Sequence, residues 1–201
     1  VGSEMCIRDR NAQTLLNKSA YNVDPFTAGI EIVVTNECDE ILPLTGNKFD
    51  VKFLRPINVV DLKSAELKDA TTGTAKIDMS KLLGLTDWRG EAFAVEPIDF
   101  YTYYGIEGAT AISIDKDKIM TTLNASEAAP KLLKDVAPNM SIDYACDLKK
   151  SGNDITYGDL VYANGKFTIN APFKLFIPVT VKYTFGEVTS TVTLTITPTH
   201  D

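Results

Sequence analysis

The sequence predicts an all-β chain: a partial antiparallel sandwich followed by a complete one, with one or two short helices. Three observations carry this. Apolar residues recur at every second position in many short runs, helix-length stretches of 3.6-residue period are scarce, and Gly, Pro and Asn clusters punctuate the runs. A parallel α/β sheet is disfavoured because its long crossover helices are missing.

Taken in order, the first ten residues, Val1-Gly-Ser-Glu-Met-Cys-Ile-Arg-Asp-Arg10, have neither period nor turn logic. They read as a translated transposase adapter from library preparation, the alternative being a natural N-terminus, and are set aside from the fold. An adapter edge implies a gene that continues upstream, so a missing leader says nothing of the compartment. Ile30, Ile32 and Val34 then alternate, as do Phe49, Val51 and Phe53, before Asp61–Thr74 turns polar. Residues 11–60 are therefore expected to be the closing strands of a truncated domain, and 61–201 a complete sandwich. A single larger sandwich with decorations is the competing organisation.

Ser80–Gly84 suggests one helical turn, and Ser126–Val136 two or three, interrupted by Pro130. Ala111–Asp115 and the alternation of Ile142, Tyr144 and Cys146 suggest strands. Asp159–Tyr162 and Lys166–Ile169 flank Ala163-Asn164-Gly165, a hairpin signal because Asn-Gly tolerates positive φ. The clearest pattern comes last. Phe173, Leu175, Ile177, Val179, Val181 and Tyr183 alternate with polar residues, a turn follows at Phe185-Gly186-Glu187, and Val188, Val192, Leu194 and Ile196 alternate with threonines. That is a hairpin with one buried face and one wet face. Pro178 has no donor for a ladder, so it marks an edge, a bulge or a switch between sheets.

Composition removes several function classes. The 201 residues carry 27 acidic and 20 basic side chains, a net charge of −7 that argues against nucleic acid. No apolar run approaches the ~20 residues of a membrane helix. The one histidine, His200, sits beside the C-terminus, which disfavours histidine-based catalysis and zinc sites. With Cys6 in the adapter, Cys38 and Cys146 lack metal-ligand spacing and are expected to be small buried side chains, a disulfide only if the fold joins them. Gly105-Ile-Glu-Gly108 reads as a turn rather than a phosphate loop. Asn153-Asp154 with Asp159, and Asp115-Lys-Asp117, have carboxylates but no calcium-loop spacing, and read as solvated turns. No acidic pair stands out as catalytic, and no cofactor or metal is implied.

The aromatic residues carry more information. Trp88 is the sole tryptophan, and Phe100-Tyr-Thr-Tyr-Tyr104, taken as a strand, puts Phe100 and Tyr104 on one face and Tyr101 and Tyr103 on the other. One pair belongs in the core; the other can lie on the surface and stack on a sugar ring. Trp88 either fills the core, with Asp87 and Arg89 as its solvated rim, or joins that platform. Trp88, Tyr101 and Tyr103 are thus the candidate ligand-binding residues.

The ending Pro172-Phe-Lys-Leu-Phe-Ile-Pro-Val-Thr-Val-Lys-Tyr-Thr-Phe-Gly-Glu-Val-Thr-Ser-Thr-Val, with Leu85-Thr-Asp-Trp-Arg-Gly90 and Tyr103-Tyr-Gly105, is similar to Ig-like domains of bacterial cell-surface lipoproteins. The resemblance covers about half of the chain. It implies an Ig-like sandwich, an extracellular or cell-surface location and no catalytic residues. The function expected is a spacer or adhesion module, with a carbohydrate-binding module as the alternative and a carboxylate enzyme as a distant third. The partners expected are a polysaccharide or another surface protein.

Overall fold

The structure, a computed structural model, describes residues 26–53, 56–70, 74–122, 129–164, 171–184 and 186–199. It resolves into two compact units, 1–56 and 57–201. His200 and the Lys166–Ile169 strand lie outside the described residues.

The first unit is one long hairpin arm. Strand β1 (Phe26–Glu31) pairs antiparallel with β4 (Lys48–Phe53), and between them β2 (Val34–Thr35) pairs with β3 (Ile41–Leu42). The arm closes at Asn36, whose side-chain oxygen accepts the amides of Cys38 at 2.9 Å and Glu40 at 3.0 Å, an Asx turn that lets Asp39 take positive φ. Cys38 is therefore exposed, not buried as expected, because it rides this polar turn. No described side chain of the arm is buried, and Ile30, Ile41, Leu42, Leu44 and Phe49 face solvent.

The second unit is a sandwich-like stack of antiparallel sheets, with one parallel pair. Its strands are β5 (Ile57–Asp61), β6 (Glu66–Ala70), β7 (Thr74–Asp78), β8 (Leu83–Asp87), β9 (Ile112–Ile114), β10 (Met120–Thr122), β11 (Lys131–Leu132), β12 (Met140–Tyr144), β13 (Lys149–Ser151), β14 (Asp154–Thr156), β15 (Asp159–Asn164), β16 (Phe173–Tyr183) and β17 (Gly186–Thr199). The expected terminal hairpin is present: β16 pairs with β17 from Phe173↔Ile196 to Tyr183↔Gly186. Its alternate residues, among them Leu175, Ile177, Val179, Val181, Val192, Leu194 and Ile196, are fully buried. Each such side chain contributes roughly 1.5–3 kcal/mol by leaving water, so this face is the largest apolar contribution to the unit. Further buried residues come from the β12-β15-β7 sheet (Met140, Ile142, Leu160, Tyr162) and the β5-β8 pair (Ile57, Leu83, Leu85).

Pro178 marks a change of edge partner within one sheet, not a switch between sheets. On one edge of β16, β9 pairs with Val179–Val181 and β10 with Lys174–Phe176, and Pro178 lies in the gap between them. Its carbonyl accepts the Asp115 amide at 3.1 Å on that edge. A residue's N and C=O point to the same edge of a strand, so the absent donor falls where no ladder bond is required.

Asp61–Thr74, expected as a polar stretch around a boundary, holds β6 and leads into β7. Strand β6 pairs parallel with β17, from Thr195↔Glu66 to Thr199↔Ala70. The chain crosses from β5 to β6 at Asp61, whose carboxylate accepts the Thr193 amide at 3.1 Å and its hydroxyl at 2.8 Å. Strand β5 pairs with β8, which places residues 57–60 in the second unit. Ser80–Gly84 overlaps a 3-10 turn, Met79–Lys81, and its last two residues open β8. The second helical stretch contracts to one turn, α2 (Leu133–Val136), behind β11; residues 123–128 fall outside the described set. The first helical turn, α1 (Phe100–Tyr103), occupies the segment expected as an aromatic strand.

Ile177→Ala removes a fully buried side chain from the β16 face and is expected to cost about 2–5 kcal/mol. Lys174→Ala, on the exposed side of the same strand, should stay within about 0.5 kcal/mol of the parent. Urea denaturation of the two variants checks the contrast.

Candidate functional site

The aromatic residues converge where β8 ends and α1 begins. Helix α1 is a single turn bracketed at both ends by its own sequence. Asp99 caps it, its Oδ1 accepting the amides of Tyr101 at 3.0 Å and Thr102 at 3.1 Å. At the other end Gly105 takes φ +67, its N–H reaching Thr102 O at 3.1 Å while the Ile106 N–H reaches Tyr101 O at 2.8 Å. These two bonds make a Schellman motif, and the fully buried Ile106 supplies its apolar contact. Lys150 holds the cap from the β13–β14 hairpin, donating to Asp99 and, at 2.8 Å, to the Thr102 hydroxyl. Burial pushes the Asp99 carboxyl up, but Lys150 and Thr102 outweigh it and hold its pKa down at about 2.

One helical turn separates the two tyrosines that a strand would have kept together, because successive helical residues rotate by about 100° instead of alternating. Tyr101 turns inward, 3% exposed, and Tyr103 turns outward, 68% exposed. Tyr101 is thus core, correcting its place among the ligand-binding candidates. Its hydroxyl is 2.7 Å from that of buried Tyr157, whose carbonyl accepts the Tyr144 hydroxyl at 2.7 Å. Tyr101 also meets Phe93 edge-on, ring centroids 5.6 Å apart, and Phe93 stacks on Tyr104 at 5.5 Å. Tyr103 stands perpendicular to Tyr104, centroids 5.0 Å apart. The outer tyrosine is therefore footed on packed rings.

Trp88 is on the surface, 55% exposed, and its neighbour Asp87 is the buried one, at 7%. This inverts the core reading of Trp88, in which Asp87 formed a solvated rim. The inversion follows from turn chemistry: Asp87 Oδ1 accepts the amides of Arg89 at 2.8 Å and Glu91 at 3.0 Å, and Oδ2 accepts Arg89 Nε at 2.9 Å. Burial raises the Asp87 carboxyl; the Arg89 side chain and the Glu91 and Arg89 amides outweigh it and leave its pKa below the usual range. Gly90 takes φ +88 in the same turn. The Arg89 guanidinium lies over the indole, 5.7 Å from its centroid. Burial chiefly raises the pKa of Tyr104, and the charges of Tyr103 and Asp87 add to the rise.

Elsewhere a shallow cleft of about 510 Å³ is lined by Lys76, Asp78, Asp143, Tyr144, Asp147 and Lys149, among others. Its charges are taken up: Lys149 reaches Asp147 at 2.5 Å, Lys116 pairs with Asp143, and Asp78 accepts the Ser80 amide at 2.7 Å. The Asp115–Asp117 carboxylates are paired with Lys118 at 2.8 Å and Lys134 at 3.6 Å. Among the described residues no cluster of three or more His, Cys, Asp or Glu side chains is placed to hold a metal ion. Cys146 is buried, its thiol 3.5 Å from Gly108 O, and both Cys38 and Cys146 are free. No family model, curated protein or solved structure matches the chain.

Burial holds the phenols of Tyr101, Tyr144 and Tyr157 above the ordinary tyrosine value of 10.0. The native state then keeps protons that the unfolded chain releases, so stability present below pH 10 declines as pH rises beyond it. Tyrosinate absorbance of these three should appear only together with loss of the near-ultraviolet dichroism of the fold. Ionisation within an intact fold contradicts the buried network.

Proposed function

We propose that this chain is a non-catalytic extracellular module, a spacer or adhesion domain of a bacterial cell-surface protein, built of Ig-like sandwiches. The observation that carries the reading is the display of Trp88 and Tyr103 on two locked turns. Each aromatic ring stands in solvent on a turn held by its own hydrogen bonds, which presents an apolar face with a polar tip for stacking on a partner. The exposed apolar residues of the first unit support a second part of the proposal. Ile30 and Phe49 stand opposite one another on a two-stranded ribbon and face solvent. Two strands alone are marginal in water, which fits a ribbon that closes a larger Ig-like domain.

A carbohydrate-binding module accompanying a glycan-degrading or glycan-uptake system is the second reading, favoured by the same two rings. Its contacts are Trp88 and Tyr103, with Tyr101 withdrawn into the core.

Antibody against the chain should label intact cells expressing the full gene; labelling only after lysis contradicts the surface location. On the carbohydrate reading, Trp88→Ala and Tyr103→Ala each weaken retention by a soluble polysaccharide in affinity electrophoresis about tenfold, a loss of ~1.4 kcal/mol. Both side chains are exposed, so melting temperatures should shift by no more than about 2 °C. Retention unchanged in both variants removes the aromatic contacts.

A further inference from the structure

We propose that Asp87 and Arg89 are positioning residues for a Trp88 platform that selects uncharged saccharides. The proposal rests on the carbohydrate-binding reading and adds to it the ligand class and the residues that set it.

The turn is held from every side. Besides the three bonds to the Asp87 carboxylate, the Asp87 N–H donates to Glu91 O at 2.9 Å, and Gly90 N–H donates to Asp87 O at 3.1 Å. Asn58 Nδ2 donates to Asp87 O at 3.1 Å from the neighbouring strand β5. The Arg89 guanidinium is fixed twice, by Asp87 through Nε and by Glu91 Oε2 through an Nη at 2.8 Å. The indole thus sits between a fixed backbone and a fixed cation, and little side-chain freedom remains to be lost when a ring stacks on it.

Charge decides the ligand class. Asp87 and Glu91 are two anions against the single cation Arg89, and the whole chain carries −7. An acidic sugar polymer therefore meets a net negative turn within a negative protein. A cationic polymer is attracted by that field but finds its best place, over the indole face, filled by Arg89. A neutral sugar ring has neither penalty: its apolar face stacks on the exposed part of the indole. Its hydroxyls meet the exposed Glu91 carboxylate as acceptor and the guanidinium N–H groups not used by Asp87 or Glu91 as donors.

Trp88 is the sole tryptophan, so intrinsic fluorescence reports this site alone. Three soluble polymers serve as probes: glucomannan (neutral), alginate (anionic) and chitosan (cationic), each used with the full chain in fluorescence titration and affinity electrophoresis. The expected result is a blue shift and retention with glucomannan only, with Arg89→Ala still folding cooperatively, at a lower melting temperature because Asp87 Oδ2 loses its donor, binding about tenfold more weakly below that temperature and showing lower Trp88 anisotropy. Arg89→Ala keeps the positioning claim testable where Asp87→Asn fails to fold. Undiminished affinity and anisotropy in Arg89→Ala overturn the positioning role. A blue shift with alginate or chitosan alone overturns the charge selection and leaves glycan binding standing. Retention without a blue shift places binding elsewhere and overturns the platform. Neither retention nor shift with any of the three overturns the carbohydrate reading itself.

Discussion

The structure depends on the unbroken ladder between β16 and β17. Both of its edges and its buried face are in use. Strands β9 and β10 share one edge on either side of Pro178, and β6 and the Asp61 carboxylate share the other. Its apolar face is fully buried from Leu175 to Val181 and from Val192 to Ile196. A slip of one residue between β16 and β17 would turn every second side chain outward and exchange Ile177 and Leu194 for lysines and threonines. The hydrophobic alternation on both strands excludes that slip, and with the register set, every strand paired to either edge has its height set as well.

The strongly alternating parts were legible for this reason. The hairpin, β4, β9, β12 and β15 all carry period-two apolar patterns, whereas the alternation of Ile30, Ile32 and Val34 spans the end of β1, a break at 32–33 and the start of β2. Strand β6 was not legible: Glu66-Leu-Lys-Asp-Ala70 has Leu67 as its one large apolar side chain. It is a strand because β17 offers a free edge, which is a tertiary cause that local sequence does not contain. The misreading of Phe100–Tyr104 has a different origin. Aromatic residues favour strands, and Phe100 and Tyr104 share a side under either geometry, so the pattern alone could not arbitrate. The arbitrating signal was in the flanks: Asp99 as cap, Gly105 at the first position beyond the turn, and Ile106 after it.

The candidate site was half legible for the same reason. Trp88 and Tyr103, left open between core and surface, are exposed, whereas Tyr101 is buried because its element is a helical turn and not a strand. Trp88 itself was ambiguous, since size and hydrophobicity argue for burial. What settles its place is Asp87, whose short side chain reaches back to the amides of residues 89 and 91, as aspartate does in turns. Burying that carboxylate is tolerable only with its oxygens satisfied, and satisfying them turns the next residue outward.

A short segment that buries an aspartate and exposes the only tryptophan departs from the usual distribution twice within two residues. Neither departure assists the core: exchanging the ring for a polar side chain would remove exposed apolar area without touching the Asp87 bonds. The cleft beside β13 and β14 has the opposite character. Its carboxylates are individually partnered, Asp143, Asp147 and Asp159 by lysines and Asp78 by backbone amides, so none is aimed unpaired into the cleft. Sequences that specify one fold are consistent across levels and break that consistency mainly where a surface has another task. By that criterion the turn from Asp87 to Glu91 is a better place for a contact than the cleft.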